Sequence, residues 1–357
     1  MSANIKRKLD DRFRKFLIVR TDRIGDVILT LPMAHIIKKH FPDAHITMLI
    51  REYTSDLVID NPNIDTILYY DMGGEQISFF NLLRQLRRAR FDVVLHTHPR
   101  VRLAFLTWLA LIPIRVGTGY RLYSLLFNKK YYEHRRKGSY HELEYNLHLL
   151  RTIGLSYEDE NYQPVLQISE SSKKHVKKLL NENGIEEKDR LIILHPGSKG
   201  SSRDWNPRNF GILGKFLTGL PNVKVAITGN GEEHELVRSV AEIAGAKSIQ
   251  ICNKVSLREL GALAARASVF VSNSTGPIHI AAAVGTFVVG FYPQIPHLSA
   301  ARWGPYTSKR LIFTPKDKPL DCKKCFSKKD NLCECMNSIE VTDVFNSIKS
   351  ILQENKK

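Results

Sequence analysis

Four charged residues stand in one short turn of the sequence FLIVRTDRIGDVILTLPMA, at residues 16–34. Arg20, Asp22, Arg23 and Asp26 separate an apolar strand pattern from an apolar helix pattern, and a single glycine permits a tight connection. A carboxylate in the first turn of a helix can cap the helix amides, and it can also act as a general base. Asp26 is therefore a candidate for either role.

A second polar loop follows the strand pattern of LHPGSKGSSRDWNPRNF, at residues 194–210. Small residues there let backbone amides approach an anion, while Lys199 and Arg203 supply positive charge. A further glycine turn, TGNGEEHE, contains Glu233 after another strand pattern. That acid can complement a helix N-terminus, or it can bind a ribose or sugar hydroxyl.

A third loop, in the sequence VSNSTGPIHIAAAVGT, joins a strand pattern to a helix of small residues. Ser274 and Thr275 place hydroxyl groups at the helix N-terminus, Gly276 opens the approach, and the helix dipole favours a phosphate there. One such loop predicts only a well-capped helix. Three loops of this kind, each at a strand end, favour a site for a nucleotide diphosphate.

The elements that position these loops alternate between short apolar runs and amphipathic segments. Strands of parallel sheets and helices between them, including one over 25–40, are therefore predicted. A polar linker near residue 160 precedes a restart of the same alternation. The sequence thus predicts two domains, 1–160 and 161–357, the second including a cysteine-rich segment at 322–335 and a C-terminal helix. The predicted strand patterns lie at 15–20, 45–50, 65–70, 91–97, 190–197, 222–231, 248–253, 267–274 and 286–292.

Composition limits the class of protein. A chain of 357 residues with 43% hydrophobic residues is long and apolar enough for two globular cores. Its longest apolar runs fall short of the ~20 residues that span a bilayer, so we expect a soluble, cytoplasmic protein. The net charge of +17 implies an anionic partner: nucleic acid, a membrane surface or a phosphorylated small molecule.

The order and spacing of VRTDRIGDVILTLPM, LHPGSKGSSRDWNPRNF, ITGNGEEHE and VSNSTGPIHIAAAVGT resemble those of glycosyltransferase family 9, the lipopolysaccharide heptosyltransferases. The resemblance extends from about residue 15 to about residue 350. It implies an α/β protein of the GT-B fold, with two Rossmann-like, doubly wound domains facing across a cleft. It also implies transfer of heptose, with inversion, from ADP-heptose to inner-core sugars on Kdo-lipid A.

The same resemblance suggests roles for individual residues. Asp26 looks like the catalytic base, and cations near the strand ends of the first domain are expected to contact the anionic acceptor. These acceptor-binding candidates are Arg23, His98, Arg100 and Arg102. The expected donor-binding residues are Ser198, Lys199, Arg203, Glu233, Ser274, Thr275, Gly276 and His279. No cofactor is implied for catalysis, and an enzyme using a lipid-linked acceptor is expected to contact the inner face of the inner membrane peripherally.

One departure from the family pattern leaves the sugar open. Ser274 stands where many heptosyltransferases have aspartate, so a transferase of the same fold that uses another nucleotide-activated sugar for a surface polysaccharide is an alternative. A basic nucleic-acid-binding protein is a rival from another class, but the chain lacks a recognisable basic recognition helix or aromatic RNA-binding strand, and no nucleic-acid partner is expected. A non-catalytic scaffold of the same fold is a third alternative.

Four of the five cysteines form a Cys-x2-Cys-x7-Cys-x-Cys array. Thiolates at this spacing suit a tetrahedral structural zinc, whereas thiols that bind no metal are the rival interpretation. Disulfides are disfavoured in a cytoplasmic protein. The ligands in the zinc interpretation are Cys322, Cys325, Cys333 and Cys335.

Overall fold

The computed structural model describes residues 13–157, 162–316 and 333–354. The chain divides into two compact units. The N-terminal unit comprises Met1–Arg135 and Tyr140–Val165, and the C-terminal unit comprises Arg136–Ser139 and Leu166–Lys357.

The N-terminal unit contains a six-stranded, wholly parallel sheet in the order β3-β2-β1-β6-β7-β8, together with a small antiparallel hairpin of β4 and β5. Its core is built from the apolar sides of these strands and the helices that cover them. The strands are β1 (Lys15–Val19), β2 (His45–Ile50), β3 (Thr66–Tyr69), β4 (Asp71–Met72), β5 (Glu75–Gln76), β6 (Val93–His96), β7 (Ile114–Thr118) and β8 (Lys129–Tyr131). The helices are α1 (Ile24–Ile28), α2 (Leu31–His40), α3 (Phe79–Ala89), α4 (Val101–Leu109) and α5 (Glu142–Arg151).

The C-terminal unit repeats this architecture with a parallel sheet in the order β11-β10-β9-β12-β13-β14. The strands are β9 (Arg190–His195), β10 (Val223–Gly229), β11 (Ser248–Cys252), β12 (Val269–Asn273), β13 (Phe287–Phe291) and β14 (Arg310–Phe313). The helices are α6 (Glu170–Glu182), α7 (Pro207–Thr218), α8 (His234–Ala244), α9 (Leu257–Arg266), α10 (Gly276–Ala283), α11 (Ala300–Trp303) and α12 (Val341–Glu354).

Both sheets have the strand order of a doubly wound Rossmann fold. When the N-terminal hairpin is left aside, each sheet reads 3-2-1-4-5-6 in chain order. The direction of winding reverses between its first and fourth strands, and ligands in such sheets bind beyond the carboxyl ends of these two strands. The reversal points lie between β1 and β6 in one unit and between β9 and β12 in the other.

The helix predicted over 25–40 is two helices, α1 and α2. Pro32 has no amide hydrogen with which to bond the carbonyl of Ile28, so the helical ladder is interrupted there. Just before the proline, the Thr30 hydroxyl donates to the carbonyl of Asp26 at 2.8 Å. The interruption leaves α1 as a short, separate helix that carries Asp26.

Candidate functional site

The charged turn of the N-terminal unit lies at the reversal point of its sheet. Val19 pairs in register with His96, so the residues after β1 and those after β6 share one sheet edge. The Thr97 hydroxyl donates to the carbonyl of Val19 at 2.8 Å and ties the two strand ends together. This edge brings the turn at 20–26 close to His98.

Asp26 does not cap its own helix. The N-cap position of α1 is Arg23, and Asp26 lies in the first turn, where its Oδ1 accepts a hydrogen bond from Nη2 of Arg20. Only 12% of the Asp26 side chain is exposed. The carboxylate is therefore held in a buried ion pair rather than at the helix amides.

Arg20 is the centre of a buried polar cluster, and only 1% of the residue is exposed. Its Nε lies 2.7 Å from Oδ1 of Asp22, and its Nη1 donates to Oδ1 of Asn146 at 3.1 Å. Glu142 Oε1 lies 3.4 Å from the same guanidinium and accepts from Arg135 at 2.5 Å. Asp22 and Glu142 thus pair with the same guanidinium, Arg20, that pairs with Asp26.

Burial sets the acidity of this carboxyl group. It raises the pKa of Asp26 to about 6, against the lowering effect of Arg20, and the negative charges of Asp22 and Glu142 raise the pKa further. Burial lowers the pKa of Arg20, but the three acids together raise it by more, so the guanidinium stays charged. Asp26 is consequently ionised at neutral pH yet more basic than an exposed aspartate, as a general base requires.

The predicted acceptor-binding residues occupy two kinds of position. Arg23 is exposed, Arg100 is the half-buried N-cap of α4, and His98 Nδ1 lies 3.3 Å from a carboxylate oxygen of Asp22. Partial burial and the nearby arginines lower the pKa of His98 to about 4, so the ring is neutral at pH 7. Arg102 instead donates to the Ile77 carbonyl at 2.5 Å and packs over a tyrosine ring of its own unit.

The predicted donor-binding loops of the C-terminal unit meet at the second reversal point, where Ser272 pairs with His195. Asn273 joins the loops through its side chain: its Nδ2 donates to the Pro196 carbonyl at 2.7 Å, and its Oδ1 accepts from the Trp205 amide at 2.8 Å. The Ser201 hydroxyl donates to the Ser274 carbonyl at 2.6 Å. The Gly/Ser loop is thereby fixed against the start of α10.

The N-terminus of α10 has the properties of an anion-binding helix start. Its N-cap is Thr275, and in the described part of the chain no side-chain hydrogen bond from this residue caps the helix. Gly276 is the first residue of the helix and adds no side chain over its amides. Because the first amides of a helix have no intrahelical acceptor, they can bind an anion such as a phosphate.

The other predicted donor residues of this unit differ in burial and in their partners. Ser198 donates to Oδ2 of Asp204 at 2.8 Å, and burial raises the pKa of that aspartate to about 7. Arg203 and His279 are buried in the same unit. Lys199 differs, since its exposed ammonium lies 2.7 Å from Oε2 of an exposed acid, Glu232.

Glu233 is buried against the loop that follows β9. Its Oε2 accepts from the amide and the side chain of Asn230, at 3.0 and 2.6 Å, and so closes a capping box. A Cβ atom on Gly197 would lie only 1.9 Å from Oε1 of Glu233. Glycine at 197 is therefore what lets this carboxylate approach the predicted diphosphate loop.

Sequence reasoning missed the residues that hold the candidate base in place. Glu142 and Asn146 are one helical turn apart on α5 and are buried, although both are polar. The sequence signal for them was the i, i+4 spacing of Glu142 and Asn146 among the apolar residues of an amphipathic helix. Asp204 likewise stood inside a quoted motif without a role.

The described part of the cysteine array contains Cys333 and Cys335, whose sulfur atoms lie 2.8 Å apart. Cys322 and Cys325 lie outside the described residues. Within 13–157, 162–316 and 333–354, no group of three histidine, cysteine or acidic side chains is placed to hold a metal ion. The structural zinc stays a prediction.

In the same three ranges, no helix combines the length and the hydropathy of a membrane span.

Comparison with known proteins identifies the family. Residues 79–335 match the model of glycosyltransferase family 9 (heptosyltransferase). A Haemophilus influenzae protein described only in general terms, as a glycosyltransferase, is 26% identical over 308 residues, which cover 84% of this chain and 89% of that protein. Lipopolysaccharide heptosyltransferase 3 of Escherichia coli K12 is 26% identical over 306 residues, covering 81% and 84%.

A solved structure shares the fold over most of the length of this chain. The structure of the Escherichia coli ADP-heptose lipopolysaccharide heptosyltransferase II superposes with a TM-score of 0.78 at 18% identity, over 96% of this chain and 100% of that one. The predicted GT-B fold, with two Rossmann-like domains, is confirmed by this similarity together with the two parallel sheets.

Proposed function

The chain belongs to glycosyltransferase family 9, the heptosyltransferase family of lipopolysaccharide core biosynthesis, and we propose that it transfers heptose from ADP-heptose to an inner-core acceptor of the Kdo-lipid A type. The name of the Escherichia coli structural relative, an ADP-heptose heptosyltransferase, supports the donor. The net charge of +17 supports an acceptor with phosphates and carboxylates that is presented at an anionic membrane surface.

The observation that carries this proposal is the buried ion pair of Asp26 and Arg20 at the reversal point of the first sheet. Arg20 fixes one carboxylate oxygen, and burial makes the carboxylate a stronger base than an exposed aspartate. We assign to Asp26 the removal of the proton from the acceptor hydroxyl. We assign to Arg23, His98 and Arg100 the orientation of the anionic acceptor.

The bond changes then follow an inverting displacement. As Asp26 takes the proton, the acceptor oxygen forms a bond to the anomeric carbon of the heptose, and the bond from that carbon to the diphosphate oxygen breaks. ADP leaves with the electron pair. The first amides of α10, Ser198 and Arg203 stabilise its negative charge, so this division of roles uses no cofactor.

Asp26→Asn tests the base directly. We expect turnover to fall by about two to four orders of magnitude, because the amide cannot accept the proton, while ADP affinity changes little. Isothermal titration with ADP and a transfer assay measure the two quantities. Asp43→Asn, at an exposed position, is the matched control. Unchanged turnover in Asp26→Asn would remove this residue from the mechanism.

Ser274 favours a second candidate, a transferase of the same fold with another nucleotide-activated sugar. Its side chain is buried, where an aspartate would present a charge. A panel of nucleotide sugars in a thermal-shift assay separates the candidates, since a ligand at about 100 times its Kd stabilises the native state by about 2.7 kcal/mol.

A further inference from the structure

One face of the N-terminal unit exposes large apolar side chains in a regular pattern. Val101, Phe105 and Trp108 are exposed on α4 and follow the i, i+4, i+7 spacing of a single helix face. Leu111 just after α4 is 79% exposed, and Phe80 on α3 is 78% exposed. A face turned to water normally carries polar residues at such positions, so this pattern marks an interaction surface.

These residues form one continuous surface. The ring of Phe79 lies 5.7 Å from that of Phe80 and 6.1 Å from that of Phe105, which stacks on Trp108 at 5.6 Å. Arg87 of α3 donates to the carbonyl of Leu109 at the end of α4, at 3.1 Å. We refer to Phe80, Val101, Phe105, Trp108 and Leu111, with the cations described next, as the α3–α4 face.

Positive charge borders the apolar residues. An open groove of about 670 Å³ runs along α3, and its cationic lining residues are Lys15, Arg84, Arg87, Arg88 and Arg90. Residues 77–132 contain ten arginines and lysines but a single acid, Asp92. The Asp92 carboxylate accepts hydrogen bonds from the amides of Arg14 and Lys15 at 2.9 Å.

We propose that the α3–α4 face docks the protein on an anionic phospholipid bilayer. Aromatic and aliphatic side chains enter the boundary between headgroups and acyl chains, and the arginines of α3 bind lipid phosphates. A bilayer satisfies both the apolar and the cationic residues. A nucleic acid would leave Leu111 and Val101 in water, and a second copy would meet the same positive charge. This proposal rests on the proposed function, because the proposed acceptor is a lipid-linked sugar.

Vesicle binding tests the charged part of the face. The protein should co-sediment with vesicles of phosphatidylcholine and phosphatidylglycerol but not with phosphatidylcholine alone. Arg84→Glu with Arg88→Glu should weaken this binding at least about tenfold. Lys174→Glu with Lys178→Glu, on exposed positions of α6, is the matched control and should bind like the unmodified protein. Equal losses in both double variants would overturn the proposal, because net charge alone would then explain the binding.

Tryptophan fluorescence tests the apolar part. Trp108 is 43% exposed, whereas Trp205 is fully buried, so insertion should shift the emission of Trp108 to shorter wavelength. The shift should disappear in Trp108→Leu and persist in Phe216→Ser, which changes a similarly exposed aromatic residue of α7. No shift on vesicles that bind the protein would overturn the proposal. Salt-sensitive binding to duplex DNA without vesicle binding, or self-association through this face in sedimentation, would do so too.

A transfer assay separates this proposal from the proposed function. The Arg84→Glu, Arg88→Glu variant should lose activity at least about tenfold on an acylated acceptor held in vesicles and keep it on the same core sugars without acyl chains. An equal loss on both acceptors would overturn membrane docking as the role of this face. If the unmodified protein transfers heptose to neither acceptor, the proposed function fails, while the vesicle-binding result stands.

Discussion

Two opposing effects set the pKa of Asp26 and together make it suitable as a base: burial with nearby acids raises the pKa, and Arg20 lowers it. The cluster contains three acids, Asp26 included, and two arginines, so one carboxyl group lacks full compensation. Burial increases the cost of that imbalance and raises the pKa of Asp26. Arg20 keeps the rise moderate, because a carboxyl with a much higher pKa would be protonated at neutral pH and could not accept a proton.

This balance predicts a pH dependence. Since the ionised carboxylate is the active form, kcat/KM should rise about tenfold per pH unit below a pKa of about 6 and level off above it. Steady-state rates between about pH 5 and pH 8 measure the curve. ADP affinity over the same range must be measured separately, because burial raises the pKa of Asp204 in the donor loops to about 7.

Asp22→Asn supplies the control for this assignment. The negative charge of Asp22 raises the pKa of Asp26, so its removal should move the inflection to lower pH. An inflection that stays in place, or moves upward, would show that another group limits the rate.

Residue types near the candidate base were predictable from the sequence, but their partners were not. Arg20, Asp22 and Asp26 stand within seven residues of each other, so a charged turn after a strand could be read locally. Glu142 and Asn146 lie more than a hundred positions further along the chain and reach Arg20 only through the fold. The pKa of Asp26 depends on that long-range contact and on burial.

At the scale of elements, the two parallel sheets explain why the predicted motifs converge. Each quoted motif begins at a strand end, and the carboxyl ends of neighbouring parallel strands share one edge. The central strands were readable because strands buried on both faces are apolar throughout. Strands β7, β8 and β14 were not predicted. The sequence of β8, KKY, is short and polar, and β7 and β14 are only partly buried. The break before α2 depends on Pro32.

The loop after β9 allows a test of one close approach. In Gly197→Ala the new Cβ atom would overlap the Glu233 carboxylate, so the capping box at Asn230 should be lost. We expect the free energy of unfolding to fall by about 1–2 kcal/mol and the KM for the donor to rise. Denaturant unfolding and donor saturation curves measure these effects.

Gly231→Ala is the matched control for this element. A Cβ atom at position 231 would meet its nearest neighbour at 3.4 Å, an ordinary contact, so stability and donor KM should change little. If the two variants have the same free energy of unfolding and the same donor KM, the close approach of Glu233 to the loop affects neither quantity.

The whole molecule consists of two units with separate hydrophobic cores, and the candidate base and the donor loops belong to different units. If the donor loops bind ADP as proposed, the ligand stabilises the C-terminal unit directly. At about 100 times its Kd, ADP should stabilise that unit by about 2.7 kcal/mol. Calorimetry should therefore show the unfolding transition of the C-terminal unit moving to higher temperature.

Fluorescence identifies which transition moves. In Trp108→Phe the remaining tryptophans, Trp205 and Trp303, both lie in the C-terminal unit, so the emission reports on that unit alone. Its midpoint should rise with ADP by the same amount in Trp108→Phe and in the double variant with Asp26→Asn, because the base lies outside the donor loops. A shift that disappears with Asp26→Asn would mean that ADP binding depends on Asp26, and the separation of roles proposed for the two units would be wrong.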